Sequence, residues 1–385
     1  MHRKDLWSLA AIVALAGLLF VSPARAEFEQ NFKISADELR IANLVGAIQV
    51  HEATGKDFEI EVTVRGDDAK EDLIDFQLNE GREASLVIGF PVEDESDYVY
   101  PELGRNSSTT IRLNSRRGEG NGSWWRELFS AMGGRRIEIS GSGSGLKMWA
   151  DLDIGVPKGK MLIVMHGVGA MDARDVDGDL VLDSHAGHIS AERITGDLRC
   201  DTGSGHVEVS DIAGILEIDT GSGHVDAENV VGKTVSIDTG SGHVTLSDAK
   251  ADDINIDTGS GSVSVDKAEC EEIEIDTGSG SVEMRDLGAD RAKVDTGSGG
   301  VLMDLVRMGA GPYRVDTGSG RITLRLPDDA SATIMADAGS GGVDVDVDAV
   351  RMRHKDRDSA EFEVGDGDAE VELDTGSGRI VISQR

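Results

Sequence analysis

The chain has 385 residues and a net charge of −34, from 38 basic and 72 acidic side chains. Such a surface repels polyanions, which argues against nucleic acid and anionic lipid as partners of the bulk of the molecule. Only 4% of residues are aromatic while glycine numbers 49, which argues against a conventional core rich in Phe and Tyr.

The first 26 residues read as a secretory signal peptide. His2, Arg3 and Lys4 form a basic start, Leu6 to Val21 an apolar run, and Ala24-Arg25-Ala26 a small-residue cleavage site before Glu27. The run is short for a ~20-residue membrane span. No cysteine follows the cleavage site to carry a lipid. Cleavage leaves a net charge of −36 and no other run able to span a bilayer. The expectation is an exported chain that stays in the periplasm, sits at the cell surface or is released.

Residues 27–91 read as N-terminal strands, and residues 92–148 interrupt them. Within the interruption, SWWRELFSAMGG (residues 123–134) predicts a short amphipathic helix, N-capped by Ser123 and ended by Gly133 and Gly134. Trp125, Leu128, Phe129 and Met132 share one face, with Trp124 beside it. Arg105, Arg112, Arg116, Arg117, Arg126, Arg135 and Arg136 cluster around it on an otherwise acidic chain. One reading is a cover for the core. The other is a docking site for a partner protein or surface, with Trp124, Trp125, Leu128, Phe129, Met132, Arg135 and Arg136 as its contact residues.

From residue 149 to 385 the chain is repetitive. DTGSG begins at Asp201, Asp219, Asp238, Asp257, Asp276, Asp295, Asp316 and Asp374, with variants DSHAG at Asp183 and DAGSG at Asp337. An apolar residue before Asp-Thr-Gly also surrounds the catalytic aspartate of acid proteases. Those enzymes need two carboxylates sharing a proton in one cleft, and eight copies indicate architecture instead. The spacing from Asp201 to Asp295 is 18, 19, 19, 19 and 19 residues, then 21 and 21, the signature of a solenoid.

Apolar residues hold fixed places in each period. Leu198, Leu216, Val235, Ile254 and Ile273 stand three before the Asp, and Cys200, Ile218, Ile237, Ile256 and Ile275 one before. Val207, Val225, Val244, Val263 and Val282 stand six after. Val209, Ala227, Leu246, Val265 and Met284 stand eight after, and Ile212, Val230, Ala249, Ala268 and Leu287 eleven after. This is the alternation of short half-buried strands. One coil's inward side chains do not offset the entropy of ordering its backbone, so the coils must stack. The prediction is an all-β parallel solenoid, or β-helix, of 18–21-residue coils, about a dozen in number and ~55 Å long. Two or three faces per coil both fit.

DTGSG is then a corner. Its glycines are expected to supply unusual backbone angles, and its Asp to cap backbone N–H groups as an Asx-turn. Cys200 and Cys270 fall nearly four coils apart, too far for a disulfide. His188, His206, His224 and His243 each stand five after the aspartate in consecutive coils, a column that reads as tolerant surface or as a weak transition-metal candidate. The aspartate column makes calcium conceivable as a ligand, though no cofactor is required by the pattern. No Walker loop, HExxH, CxxC or Ser-His-Asp arrangement rises above chance. The last residues, RIVISQR, read as an exposed terminal coil able to pair edge to edge.

Val156-Pro157-Lys158-Gly159 and the strands after it, with the opening LRIANLVGAIQVHEATGKDFEIEVTVRG (residues 39–66), resemble the DUF4097 family of exported bacterial β-strand-repeat proteins. Interruptions at 92–148 and at RMRHKDRDSAEFEV (residues 351–364) depart from its pattern. The resemblance implies an exported β-solenoid with no catalytic residues to carry over; "adhesin" is attached to the family by analogy. The functional expectation is a non-enzymatic, rigid, acidic rod of the cell envelope, a structural or adhesin-like interaction module with an envelope protein or surface as partner. A calcium- or metal-responsive envelope protein and a carbohydrate-active β-helix enzyme are the alternatives.

Overall fold

Each repeat is one turn of a two-sided coil. The computed structural model describes residues 26–112, 136–348 and 350–385. A coil begins with a short strand ending in Asp-Thr, such as Leu216–Thr220. It crosses the Gly-Ser-Gly corner and returns as a longer strand, such as Val225–Val231. Successive coils pair in parallel with the columns in register: Leu198 on Leu216, Cys200 on Ile218, Asp201 on Asp219, Val207 on Val225, Ile212 on Val230. Thirty strands join in this system. They lie in two facing stacks, an aspartate sheet holding the Asp-Thr strands and a valine sheet opposite. The strand Met171–Ala186 belongs to both, its first half in the valine sheet and its second in the aspartate sheet. The fold is the expected parallel solenoid, with two faces.

The core is the set of inward columns. Leu216, Ile218, Val225, Ala227 and Val230 are all buried. Aliphatic side chains fill the space between two short facing strands, which is why few aromatics are needed. The large buried rings Phe58, Tyr98, Tyr313 and Phe362 lie toward the ends, where coils are less regular.

The valine-sheet strand is bent. Two residues in a row, Ser210 and Asp211, lie between the buried Val209 and Ile212. Asp211 has φ 57°, and the same place holds Asp175, Arg193, Asn229, Asp248, Lys267 and Asp286, all at φ between 49° and 56°. This left-handed residue resets the alternation so that the eleven-after column turns back into the core. Asp and Asn tolerate that conformation, while Arg and Lys carry a cost of about 1 kcal/mol. Cross-coil contacts offset it: Arg193 bonds Asp175 through both Nε (2.5 Å) and Nη2 (3.0 Å), and Lys267 lies 3.6 Å from Asp248.

Both ends of the rod are interleaved. Glu38–Val45 lies between Glu83–Gly89 and Lys160–Val168 in the aspartate sheet. Ile48–Glu52 lies between Trp149–Val156 and Met171–Ala186 in the valine sheet. At the other end Ala369–Thr375 lies between Pro312–Thr317 and Ala332–Asp337, and Ile380–Gln384 between Ile322–Leu326 and Val343–Asp346. RIVISQR is therefore not an exposed terminal coil. The last coil in sequence is enclosed on both sides, and the DAGSG coil lies outside it. The reason is the hairpin of Arg351–Lys355 and Ser359–Val364, which covers Ala332–Asp337 antiparallel on its outer side and leaves its inner side for residues 369–375. Antiparallel strands also close the first end, Ala26–Ile34 on Phe58–Arg65 and Asp75–Asn79 on Glu83–Gly89.

The interruption at 92–148 contains a separate three-stranded sheet, Asp97–Val99, Ser108–Arg112 and Arg136–Ser140. Tyr98, Ile137 and Ile139 are buried. The ring of Tyr98 packs on Phe90 (6.0 Å between centroids) and that of Tyr100 on Trp149 (5.8 Å). His185 Nε2 lies 3.1 Å from the Thr110 carbonyl oxygen, which ties the small sheet to the flank of the coils.

Candidate functional columns and the inserted sheet

The corner is built on threonine. Thr202, Thr220, Thr239, Thr258, Thr277, Thr296, Thr317 and Thr375 are all buried. Thr239 Oγ1 donates to the Gly223 carbonyl of the preceding coil (3.3 Å) and accepts from Gly242 N–H (3.0 Å). The same two bonds recur at Thr258, Thr277, Thr296, Thr317 and Thr375. The expected aspartate cap is seen in the variant DAGSG. There Ala338 has no hydroxyl, and Asp337 Oδ1 accepts from Gly339 N–H at 2.9 Å. The glycines also differ from expectation. Gly223 and Gly242 are not at positive φ. A Cβ on Gly242 would lie 1.6 Å from the Gly223 carbonyl oxygen, so the corner needs glycine for close approach between coils.

With threonine closing the turn, the aspartates point outward in register, Asp201 on Asp219 on Asp238 on Asp257 on Asp276 on Asp295 on Asp316 on Asp374. This is a column along the outside of a rod, and it brings no two carboxylates into a protease-like cleft. Partial burial, and next the neighbouring aspartates, hold Asp201, Asp238, Asp276 and Asp316 above the usual carboxylate range. An acid with a raised folded-state pKa costs stability while it is charged. That cost is fully present above the folded pKa and disappears as pH falls toward the ordinary value of 3.8. Replacing Asp238, Asp276 and Asp316 with Asn is expected to raise stability at pH 7 by about 1 kcal/mol in all, after allowance for solvent screening. The gain should shrink with salt and vanish near pH 4 in urea titrations of variant and parent. A gain that persists unchanged at acid pH would show that repulsion is not its source.

The histidine column forms as spaced. His188 and His206 stack with centroids 5.3 Å apart, as do His224 and His243 at 5.2 Å, while His206 and His224 meet edge to face at 6.5 Å. His224 Nδ1 accepts from His243 N–H (3.2 Å) and His243 Nδ1 from Ser262 N–H (3.1 Å). A ring nitrogen that accepts from an amide carries no proton, so the proton of each neutral ring lies on Nε2. His206 Nε2 lies 3.3 Å from Asp226 Oδ2. These bonds engage Nδ1 of His224 and His243 and Nε2 of His206. Among the described residues no group of three or more His, Cys, Asp or Glu is arranged to hold a metal ion. Cys200 and Cys270 are separate, buried and free, and burial pushes both thiols up to about 12.

The threonine column extends where the sequence no longer reads DTGSG. Ser184 pairs with Thr202, His166 with Ser184, and Asn43 with His166, all buried. His166 lies with Nε2 2.9 Å from Gly46 O and Nδ1 3.3 Å from Asn43 O. Burial lowers its pKa to about 4, against weaker opposing effects of those carbonyls. Ser184 belongs to the DSHAG variant, while only the stacking register identifies His166 and Asn43 as corner residues. The bend column was visible as the odd three-residue step from the eight-after to the eleven-after place. Nearby, a cavity of about 420 Å³ lies between Ile74 and Phe90, with Asp72, Asp75, Glu93 and Asp94 in its lining.

Of the docking candidates, Trp124, Trp125, Leu128, Phe129, Met132 and Arg135, with the helix drawn through them, lie outside the described residues. Arg136 opens the third strand of the inserted sheet, exposed, with Nη2 donating to Thr110 Oγ1 at 3.2 Å.

Residues 211–383 match the family model described as Toastrack DUF4097. Among solved structures, a "putative cell adhesion protein from Clostridium sporogenes" is 10% identical, with 93% of this chain and 99% of that chain covered and a TM-score of 0.19. A score that low carries no argument about architecture or function. No curated protein matches the chain.

Proposed function

From the match of residues 211–383 to the Toastrack DUF4097 family model, we propose that the chain is a non-enzymatic, exported module of the cell envelope, a rigid acidic rod that presents repeated side chains and one inserted element to a partner. One observation carries this reading: side chains of the same position stack in register coil after coil, and the chemistry-bearing ones lie in columns along the outside. Such a surface suits extended, repeated contact with a protein or a cell-surface polymer. The inserted segment supplies the contrast. Its tryptophans and arginines are the aromatic and basic residues favoured at the centres of interfaces, on a chain of net charge −34. Trp124, Trp125, Leu128, Phe129, Met132, Arg135 and Arg136 are the residues assigned to docking.

The test is a pull-down from envelope fractions with the chain lacking residues 1–26 and the same chain also lacking residues 115–138. A partner retained only by the intact protein is the expected result. Equal recovery by both would move the contact to the columns along the rod. A deletion variant that unfolds and exposes its core would make the segment a cover.

A further inference from the structure

The two ends of the aspartate sheet are complementary edges. At the first end the outermost strand, Asp75–Asn79, pairs among the described residues with Glu83–Gly89 alone. At the other the outermost strand, Arg351–Lys355, pairs among the described residues with Ser359–Val364 alone. Each presents one unpaired row of backbone N–H and C=O groups. We propose that these edges join, so that copies of this chain associate head to tail and continue the aspartate sheet from one rod into the next.

Four observations favour a second copy as the occupant. The first is direction. Asp75–Asn79 runs against the parallel strands of its sheet, because it is antiparallel to Glu83–Gly89, which is parallel to Glu38–Val45. Arg351–Lys355 runs with them, because two antiparallel steps separate it from Ala332–Asp337. The junction is therefore antiparallel, the pairing that short edge strands form best.

The second is the apolar pattern. Leu78 and Met352 are 38% and 42% exposed, two of only four large apolar residues so exposed among the described residues. One stands on each edge strand. Leu78 is paired with the buried Leu86, and Met352 with the buried Phe362, so both lie on the core-facing side of the sheet. Aligning the two five-residue strands end to end and antiparallel places Met352 opposite Leu78 on that face, which buries both.

The third is charge. Arg351, Arg353 and Lys355 place three cations on the outer strand of a strongly acidic protein, although Arg351 and Arg353 already pair with Glu363 and Glu361 of the same hairpin. The opposite end carries Glu71, Asp72, Asp75, Glu93 and Asp94 around the edge and its adjoining cavity. Charges on an edge, and the bulge between Met352 and His354, reject indiscriminate strand pairing, and here the charges select an acidic edge. The fourth is that both end faces keep partly buried apolar side chains, Phe28, Phe32 and Phe76 at one end and Val345, Val347 and Val350 at the other. A head-to-tail contact of this kind is heterologous and does not close on itself, so growth is open-ended.

The test uses the chain from Glu27 onward. Sedimentation velocity over a concentration series is expected to show mass rising past the dimer. L78K and M352K, both at exposed positions and so folded like the parent by circular dichroism, are expected to raise the concentration for half-association by at least about tenfold. Mixing the L78C and M352C variants under oxidising conditions is expected to give a disulfide-linked pair that neither gives alone; the native cysteines are buried and do not compete. A parent that stays monomeric throughout, growth that stops at a dimer, or cross-linking of the M352C variant with itself would each overturn the proposal. The docking segment plays no part in these readouts, so their failure leaves the pull-down prediction standing.

Discussion

Replacing Gly242 with alanine is expected to destabilise the solenoid by about 4 kcal/mol or more, an effect that the equivalent Gly223 and Gly261 should share. The added Cβ would stand 1.6 Å from the carbonyl oxygen and 2.6 Å from the carbonyl carbon of Gly223, and 2.8 Å from Thr239 Oγ1. None of these neighbours is the free end of a flexible side chain. Gly223 is fixed by the bonds its backbone makes to Thr220 and Thr239. Moving away along the rod is no remedy, because Gly261 stands against Gly242 just as Gly242 stands against Gly223. Relief requires opening the ladder between two coils, which unpairs backbone groups and exposes Val225 and Val244. The neighbouring Ser241 is exposed, and S241A is expected to cost less than about 0.5 kcal/mol. Urea unfolding of the two variants side by side decides the matter. If G242A unfolds within about 1 kcal/mol of S241A, the corners have room, and glycine serves another purpose there.

The repeats were legible because stacking turns sequence period into geometry. Every column named from spacing, from Leu216 to Val230, is an inward ladder of the structure, and the histidines align as counted. What spacing conceals is which polar side chain does the work within a column. Asp and Thr are adjacent and equally invariant across the eight DTGSG corners, and either type can cap a turn. Alternation decides between them. The inward Ile218 is two residues before Thr220, so threonine points into the corner and Asp219 points out. Glycine was ambiguous for a similar reason, since freedom of φ and absence of a Cβ are the same chemical fact. Chain order misled at the ends. A uniform period implies that the last repeat is the last coil, and nothing local to RIVISQR shows that residues 332–346 have been displaced one step outward. That information resides in the hairpin at 351–364, which provides a partner for the outer side of the displaced strand.

Deleting residues 366–385 is expected to unfold the end of the rod while leaving its middle intact. The deleted segment supplies Ala369, Val371, Leu373, Ile380 and Ile382 to the core, and its four large side chains account for about 8 kcal/mol of burial. It also supplies Thr375, whose hydroxyl donates to Gly320 O at 3.0 Å. Arg385 bridges Asp286 (2.5 Å) and the nearly buried Asp304 (3.0 Å), so its loss leaves Asp304 with Arg325 alone at 3.4 Å. The DAGSG coil does not replace what is lost. Asp316 to Asp337 is the same 21-residue step as Asp295 to Asp316, so a direct restack is sterically available. Ala338, however, has no hydroxyl to bond Gly320 O. The restacked coil would bury less polar satisfaction at its corner than the enclosed coil provides. Stability in a solenoid is set by nearest neighbours, so the damage should stop a coil or two inward. Hydrogen exchange on the truncated chain is expected to show residues 312–364 losing protection and residues 207–296 keeping it. Full protection of residues 332–346 would mean that the outer coil steps down by itself, and that the enclosed strand is a spacer between two coils able to pair without it.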